Sequence, residues 1–476
     1  MAKVHKIYGP PGTGKTFRLI RRVNAYVRTG TPYHKIGYFA FTRKAAAEAR
    51  KRIKVSDKEL PYFQTLHAFC FHLLGLKEED ILQPYHYEEL GRSLGIRVNY
   101  SDKYNEEETN FLTCNNPYFQ LIGRANNRDI SLREEFDRNE HDRKDIEWNT
   151  LKHIGLNLEE FKKKNTLYDF NDIIHKVLDS EKIPTFKSIF IDEAQDLSPL
   201  QWKLYDVLKD HTENIYLAGD DDQAIFAWAG ADVNRFIKEP AKERVLRYSR
   251  RISQAVQEQS TIPISRISGI RKQKEYLPRA QEGFASTINN LGQVDLSKGK
   301  WLILTRTKSN LLEIMEQLKR KNIYFQSNKG KSFKVSIYNA ANAYTKWCMN
   351  EAIESKDINE IREYIPGAKW DAKKPWYDVF TAANQKEVLY IRNLLTQNEQ
   401  LSDNARIFLS TIHAAKGGEE DNVILSLHQG DKVQKGIKLS VDKQDEEHRV
   451  WYVGCTRARN KLYKLKAKVK KKEYQL

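Results

Sequence analysis

Cysteine is scarce: Cys70, Cys114, Cys348 and Cys455 are the only four in 476 residues, and no two share C-x-x-C spacing. That pattern argues against a disulfide framework or a cysteine-built zinc site and suits a reducing, cytoplasmic setting. Long apolar runs are also missing. No stretch approaches the roughly 20 residues needed to cross a bilayer, and residues 1–8, with Lys3 and Lys6, do not read as a secretory leader. No membrane partner is expected. Acidic residues fall short of basic ones, 63 against 80, leaving a net charge of +17. Such an excess favours a polyanionic partner. The chain is nevertheless 40% hydrophobic and 11% aromatic, which excludes wholesale disorder. Its length suits roughly two to four domains. The 8 tryptophans and 24 tyrosines could include faces on which unstacked bases pack.

The segment AKVHKIY reads as a short strand that runs into Gly9-Pro10-Pro11-Gly12-Thr13-Gly14-Lys15-Thr16, a complete G-x-x-x-x-G-K-T loop. The following FRLIRRVNAYV has helical spacing of apolar residues. Glycines let the backbone close around a phosphate, and the amides at the helix start point at it. Lys15 is expected to reach the β- and γ-phosphates and Thr16 to hold Mg²⁺. A metal carboxylate is then required. A buried strand, SIFI, ends at Asp192-Glu193, at the edge where open α/β sheets bind ligands. Asp192 is the candidate Mg²⁺ ligand and Glu193 the candidate general base; taken alone, such an acidic pair could simply cap a helix.

From DEAQD (192–196) onward, the sequence resembles the superfamily 1 helicases of the UvrD/Rep/PcrA type, with motifs in family order across nearly the whole chain. GDDDQAIFAWAGA (219–231) is similar to motif III, which implies that Gln223 senses the γ-phosphate and Trp228 stacks on a DNA base. YFAFTRKAAAEAR (38–50) resembles motif Ia, with Phe41 and Thr42 at DNA-facing positions. QTLHAF (64–69) resembles motif Ib, which puts Thr65 and His67 near the strand; read alone, they are a strand end and a core histidine. STIHAAKGGE (410–419) resembles motif V, so that Thr411 and His413 would follow DNA while Gly417 and Glu419 approach the nucleotide. EEHRVWYVGCTRAR (446–459) resembles motif VI, which puts Arg457 in the arginine-finger position, and Arg251 in LRYSRRIS is the candidate for the second γ-phosphate arginine.

The resemblance implies an α/β protein of two RecA-like P-loop cores, parallel sheets flanked by helices, each with an inserted, mainly helical subdomain. The first core is expected over 1–74 and 166–245, with an insertion at 75–165. The second is expected over 246–329 and 403–476, with a short insertion at 330–402. The implied activity is ATP-dependent 3′→5′ translocation on single-stranded DNA and helicase action at single-strand/duplex junctions, driven by hydrolysis in the cleft between the cores. A monomer is expected, with single-strand-binding or replication and repair proteins as possible partners. The alternative is a translocase that strips proteins from single strands with little unwinding. Three departures stand out. Only eight residues precede Gly9, where the family carries its adenine-reading motif, so use of other NTPs is expected. Arg250 falls where the family stacks an aromatic on adenine. Ala229 replaces an arginine after the motif III tryptophan.

Overall fold

The computed structural model describes residues 2–98, 116–138, 146–180, 182–365, 367 and 370–476; Cys114 lies outside them. Among the described residues, Cys70, Cys348 and Cys455 are free thiols, and no helix is long and apolar enough to cross a membrane. The chain packs as two compact units, Met1–Glu282 with Ile437–Thr456 and Gly283–Gly436 with Arg457–Leu476.

The first unit is built on a six-stranded, all-parallel sheet. Its strands are β1 (Lys3–Tyr8), β2 (Ile36–Phe39), β3 (Phe63–Gln64), β4 (Phe186–Ile191), β5 (Thr212–Gly219) and β6 (Lys242–Val245), in the order β3-β2-β4-β5-β1-β6. Alternate residues of a strand face opposite sides, and here both sides are buried. Ile189 and Ile191 of β4, with Ile215 and Leu217 of β5, pack into one core that includes Trp202 and Tyr205. Phe190 and Tyr216 point the other way, into a second core with Leu19, Ile20 and Val23 of the helix Lys15–Arg28. A sheet buried on both faces reads as near-continuous apolar strands, which is why SIFI shows no alternation. Burying a side chain such as Phe190 contributes about 1.5–3 kcal/mol. Lys6, fully buried in β1, stays solvated by the protein: its Nζ donates to the carbonyls of Glu239 (2.7 Å) and Ile237 (3.0 Å).

Within residues 75–165 the helices Pro84–Ser93, Pro117–Arg128, Leu132–Arg138 and Trp148–Asn165 share a core of Leu90, Phe119, Ile122, Leu151 and Ile154. The second unit carries a seven-stranded sheet made of β7 (Phe284–Ile288), β8 (Trp301–Thr305), β9 (Gln326–Ser327), β10 (Gly330–Lys331), β11 (Ile407–Thr411), β12 (Glu420–Ser426) and β13 (Ala458–Leu465). Its order is β10-β9-β11-β8-β12-β13-β7, parallel except for the β9/β10 hairpin. The helices Val335–Cys348, Ser355–Tyr364, Trp376–Val379 and Gln385–Thr396 bury an aromatic-rich core around Tyr344, Tyr364 and Phe380. The architecture is the α/β one expected, two RecA-like sheets with helical insertions.

The packing units differ from the motif-based partition in two places. Residues 246–282 and the helix Val441–Cys455 belong with the first unit. The reason is local: Leu246 N donates to Tyr8 O (2.8 Å), Arg250 N donates to Gly12 O (2.9 Å), and Val441–Cys455 packs on the helix Gln254–Ile264.

Candidate functional site

The loop after β1 closes because its glycines adopt what other residues resist. Gly12 and Gly14 have φ of 73° and 85°, and Gly14 caps the helix Lys15–Arg28 from the left-handed region. A Cβ at Gly9 would lie 2.2 Å from Lys15 Cγ, and one at Gly12 would lie 2.2 Å from Arg251 Cβ. These close approaches show how tightly the loop folds on its neighbours. Lys15 Nζ bonds Gly9 O at 3.0 Å and lies 3.6 Å from the Glu193 carboxylate.

Asp192 follows β4 directly, and its Oδ2 accepts from Thr16 Oγ1 (2.6 Å) and from Tyr38 OH (3.1 Å). Burial, and then the neighbouring Glu193 carboxylate, raise the Asp192 carboxyl above its ordinary range; the Thr16 and Tyr38 hydrogen bonds and the Lys15 charge oppose them. Burial likewise keeps Tyr38 protonated and therefore a donor. Glu193 sits at φ 57°, in the left-handed region. A non-glycine residue there costs on the order of 1–2 kcal/mol, and such strain clusters at functional sites. Gln195 Nε2 ties Glu193 Oε2 down at 2.6 Å, while its Oε1 accepts from Asp220 N at 3.0 Å. Asp220 Oδ2 in turn accepts from Gln223 Nε2 at 2.7 Å. Arg251 reaches the same loop, because Ser249 Oγ donates to Pro11 O (2.7 Å) and anchors the segment. The structure thus brings together Gly9–Thr16, Asp192, Glu193, Gln223 and Arg251. The residue types suit a magnesium–nucleotide: the Thr16 hydroxyl and the Asp192 carboxylate meet in one hydrogen bond, Lys15 stands at the end of the glycine loop, and the Glu193 carboxylate lies beside it.

The model of the UvrD/REP helicase N-terminal domain matches residues 1–243, just over half of the chain. The chain belongs to the UvrD/Rep helicase family. The chain is similar to a protein of Haemophilus influenzae named DNA helicase II, at 27% identity over 51% of this chain and 35% of that protein. It is 29% identical to a Mycoplasma genitalium protein named probable DNA helicase II homolog, over 48% of this chain and 35% of that one. A Staphylococcus aureus protein named ATP-dependent DNA helicase PcrA is 25% identical over 48% of this chain and 32% of its own length. The alignments thus take in about a third of each relative. A solved structure titled "The structure of PRRSV helicase" covers 97% of this chain and 52% of its own, with 10% identity and a TM-score of 0.36, a likeness too loose to define the fold.

In this UvrD/Rep chain the motif residues away from the loop are placed as follows. Trp228 is 37% exposed on a short turn, Ala227–Ala229, whose carbonyls are held by Arg128 Nη2 (3.1 Å to Ala227 O) and Asn127 Nδ2 (3.2 Å to Ala229 O). Phe41 stacks on Phe226 two residues before it, with centroids 5.3 Å apart. Thr42 and Thr65 cap the helices Arg43–Ile53 and Leu66–Leu73 through Oγ1. His67 is buried against Phe170, and burial pushes its pKa down to about 4. In the second unit Thr411 ends β11 and accepts from Ala414 N (3.3 Å), and burial pushes His413 down to about 3. Gly417 has φ of 88°, Glu419 pairs with Arg459 (2.9 Å from Nε), and the buried Arg457 donates to Gly418 O at 3.0 Å.

Sequence reasoning missed Tyr38, Gln195, Asp220 and Ser249. Gln195 lies inside DEAQD, and Tyr38 opens the segment read as motif Ia, so both were within reach of a strand-neighbour argument. Lys274, buried against Asp220, carried no signal in the sequence.

Proposed function

We propose that the chain is a Mg²⁺-ATP-driven DNA helicase that translocates 3′→5′ along single-stranded DNA. The observation that carries this reading is the constellation of Lys15, Thr16, Asp192 and Glu193 around the glycine loop of a UvrD/Rep family chain. The names of the three relatives support DNA as the track.

The nucleotide supplies a γ-phosphoryl group whose transfer to water releases the driving energy. Lys15 neutralises the phosphate oxygens, and Thr16 with Asp192 holds the metal. Glu193, held by Gln195, takes a proton from the attacking water. Gln223 and Arg251 read the γ-phosphate, and Arg457 is assigned the finger role by its place in motif VI, with Gly417 and Glu419 also on the nucleotide side. Phe41, Thr42, Thr65, His67, Trp228, Thr411 and His413 are the proposed DNA-side residues. Trp228 is the best presented of them, an exposed indole on the loop that also carries Gln223. Because Arg250, exposed beside Gly12, stands where an adenine-stacking ring is expected, GTP and other NTPs should also serve. We retain the partition into two cores with insertions at 75–165 and 330–402. The small helical insertion at 330–402 favours one second reading, a translocase that displaces bound proteins with little unwinding.

Phosphate release measured with and without single-stranded DNA tests the reading. DNA should stimulate release by the wild type and Lys15→Ala should abolish it; a rate indifferent to DNA would overturn the proposal.

A further inference from the structure

Behind Gln223 lies a charge cluster that meets the proposed hydrolytic residues through Asp220, by way of Gln223 and Gln195. Asp220, Asp221 and Asp222 are all buried, and Lys274, 1% exposed, meets all three: 2.9 Å to Asp220, 2.8 Å to Asp222, and in contact with Asp221. Arg271 clasps Asp222 with two bonds, 2.6 Å from Nε and 2.9 Å from Nη2, and Lys272 N donates to Asp221 Oδ2 at 2.9 Å. A bidentate guanidinium–carboxylate pair fixes geometry as well as charge.

The same short segment is tied at its other end. The backbone amides of Ser268 and Gly269 donate to the two oxygens of buried Asp445, at 3.0 and 2.7 Å, and Arg449 Nη2 reaches Ile270 O at 3.4 Å. Asp445 lies on the helix Val441–Cys455, and its neighbour Glu446 accepts from Trp228 N at 3.2 Å. The contacts close a ring: Gln223 to Asp220, to Lys274, along residues 268–274 to Asp445, to Glu446 and back to Trp228. The chain itself joins the polar links, of which Gln223–Asp220 and Asp220–Lys274 are buried, the Ser268 and Gly269 bonds to Asp445 are part-buried, and the Trp228–Glu446 bond is exposed.

We propose that residues 268–274 form a strap that locks the Gln223 and Trp228 ends of one loop to a common helix, with Lys274 and Asp445 as positioning residues that couple nucleotide state to grip on DNA. This rests on the proposed function, since it assumes that Gln223 faces nucleotide and Trp228 faces DNA. Neither Lys274 nor Asp445 touches substrate, so their loss should spare nucleotide binding and hydrolysis without DNA while weakening the response to DNA.

The test compares kcat with and without single-stranded DNA, together with the affinity for a fluorescent ATP analogue, for wild type, Lys274→Met, Asp445→Asn and the double variant. Each single substitution should cut the DNA stimulation by about fivefold or more with the analogue affinity kept. Because both lie in one ring, the double variant should lose no more than the worse single one. Thermal melting checks folding; if Lys274→Met does not fold, Asp445→Asn and Arg271→Gln decide. Full stimulation in the folded variants, or multiplicative losses in the double variant, would overturn the strap. A wild type that shows no stimulation would instead sink the function on which the strap rests.

Discussion

The left-handed glycines of the phosphate loop allow a graded test, because they differ in what surrounds them. Gly12→Ala and Gly14→Ala each place a side chain at positive φ, 73° and 85°. That costs roughly 1–2 kcal/mol in either case. At Gly14 the new methyl would find its nearest neighbour, Phe17 Cβ, at an ordinary 3.9 Å. At Gly12 it would meet Arg251 Cβ at 2.2 Å, Arg251 N at 2.9 Å and Ser249 Oγ at 2.9 Å. The first two are fixed to the backbone and have no rotamer to escape into. Overpacking of that kind adds about 1–3 kcal/mol. If the strain falls on the binding-competent loop, Gly12→Ala should bind nucleotide about 5- to 150-fold more weakly than Gly14→Ala. Titration of a fluorescent ATP analogue, with thermal melting as the folding control, reads the difference. Equal losses, or a larger one at Gly14, would refute the placement of Arg251 against the loop.

Three further outcomes follow from the site. Tyr38→Phe removes a hydrogen bond that favours ionised Asp192, so the acid limb of hydrolysis, already raised by burial and Glu193, should move to higher pH; a pH–kcat profile shifted the other way would contradict the assignment. His67 is held neutral by burial with its pKa pushed down to about 4, so the stability it contributes is present above its ordinary value of 6.5 and is lost as pH falls through about 4. Acid titration of the urea midpoint should show this loss, and His67→Gln should flatten it if the folded protein excludes the imidazolium. Trp228→Ala should weaken single-stranded DNA binding by about 1–3 kcal/mol, read by fluorescence anisotropy at fixed salt, with nucleotide affinity retained.

Legibility from sequence followed the locality of the interactions. Gly9–Thr16 and Asp192-Glu193 were readable because their chemistry requires fixed residue types at fixed offsets from a strand end, and the structure sets Thr16 and Asp192 2.6 Å apart. Strands such as SIFI and WLILT were readable as apolar runs because both faces of their sheets are buried. The packing of 246–282 with the first unit was not, since it depends on backbone bonds from Leu246 and Arg250 to the phosphate-loop strand and its turn, which leave no pattern in side-chain types. Lys274 was hidden for a related reason: a lysine in a charged stretch reads as solvated surface, and only long-range folding places it among three buried aspartates. Thr42, Thr65 and His67 show the opposite limit. Their motif positions point to DNA, while their local environments give each an additional structural task, as helix caps and as a buried ring.

The central claim, a nucleotide-driven 3′→5′ helicase, is tested most directly by strand displacement on duplexes bearing either a 3′ or a 5′ single-stranded tail. The reaction is run with Mg²⁺-ATP, with Lys15→Ala as the inactive control. Unwinding of the 3′-tailed duplex alone, absent in Lys15→Ala, is the predicted result. Unwinding from the 5′ tail, or activity that survives Lys15→Ala, would contradict the account.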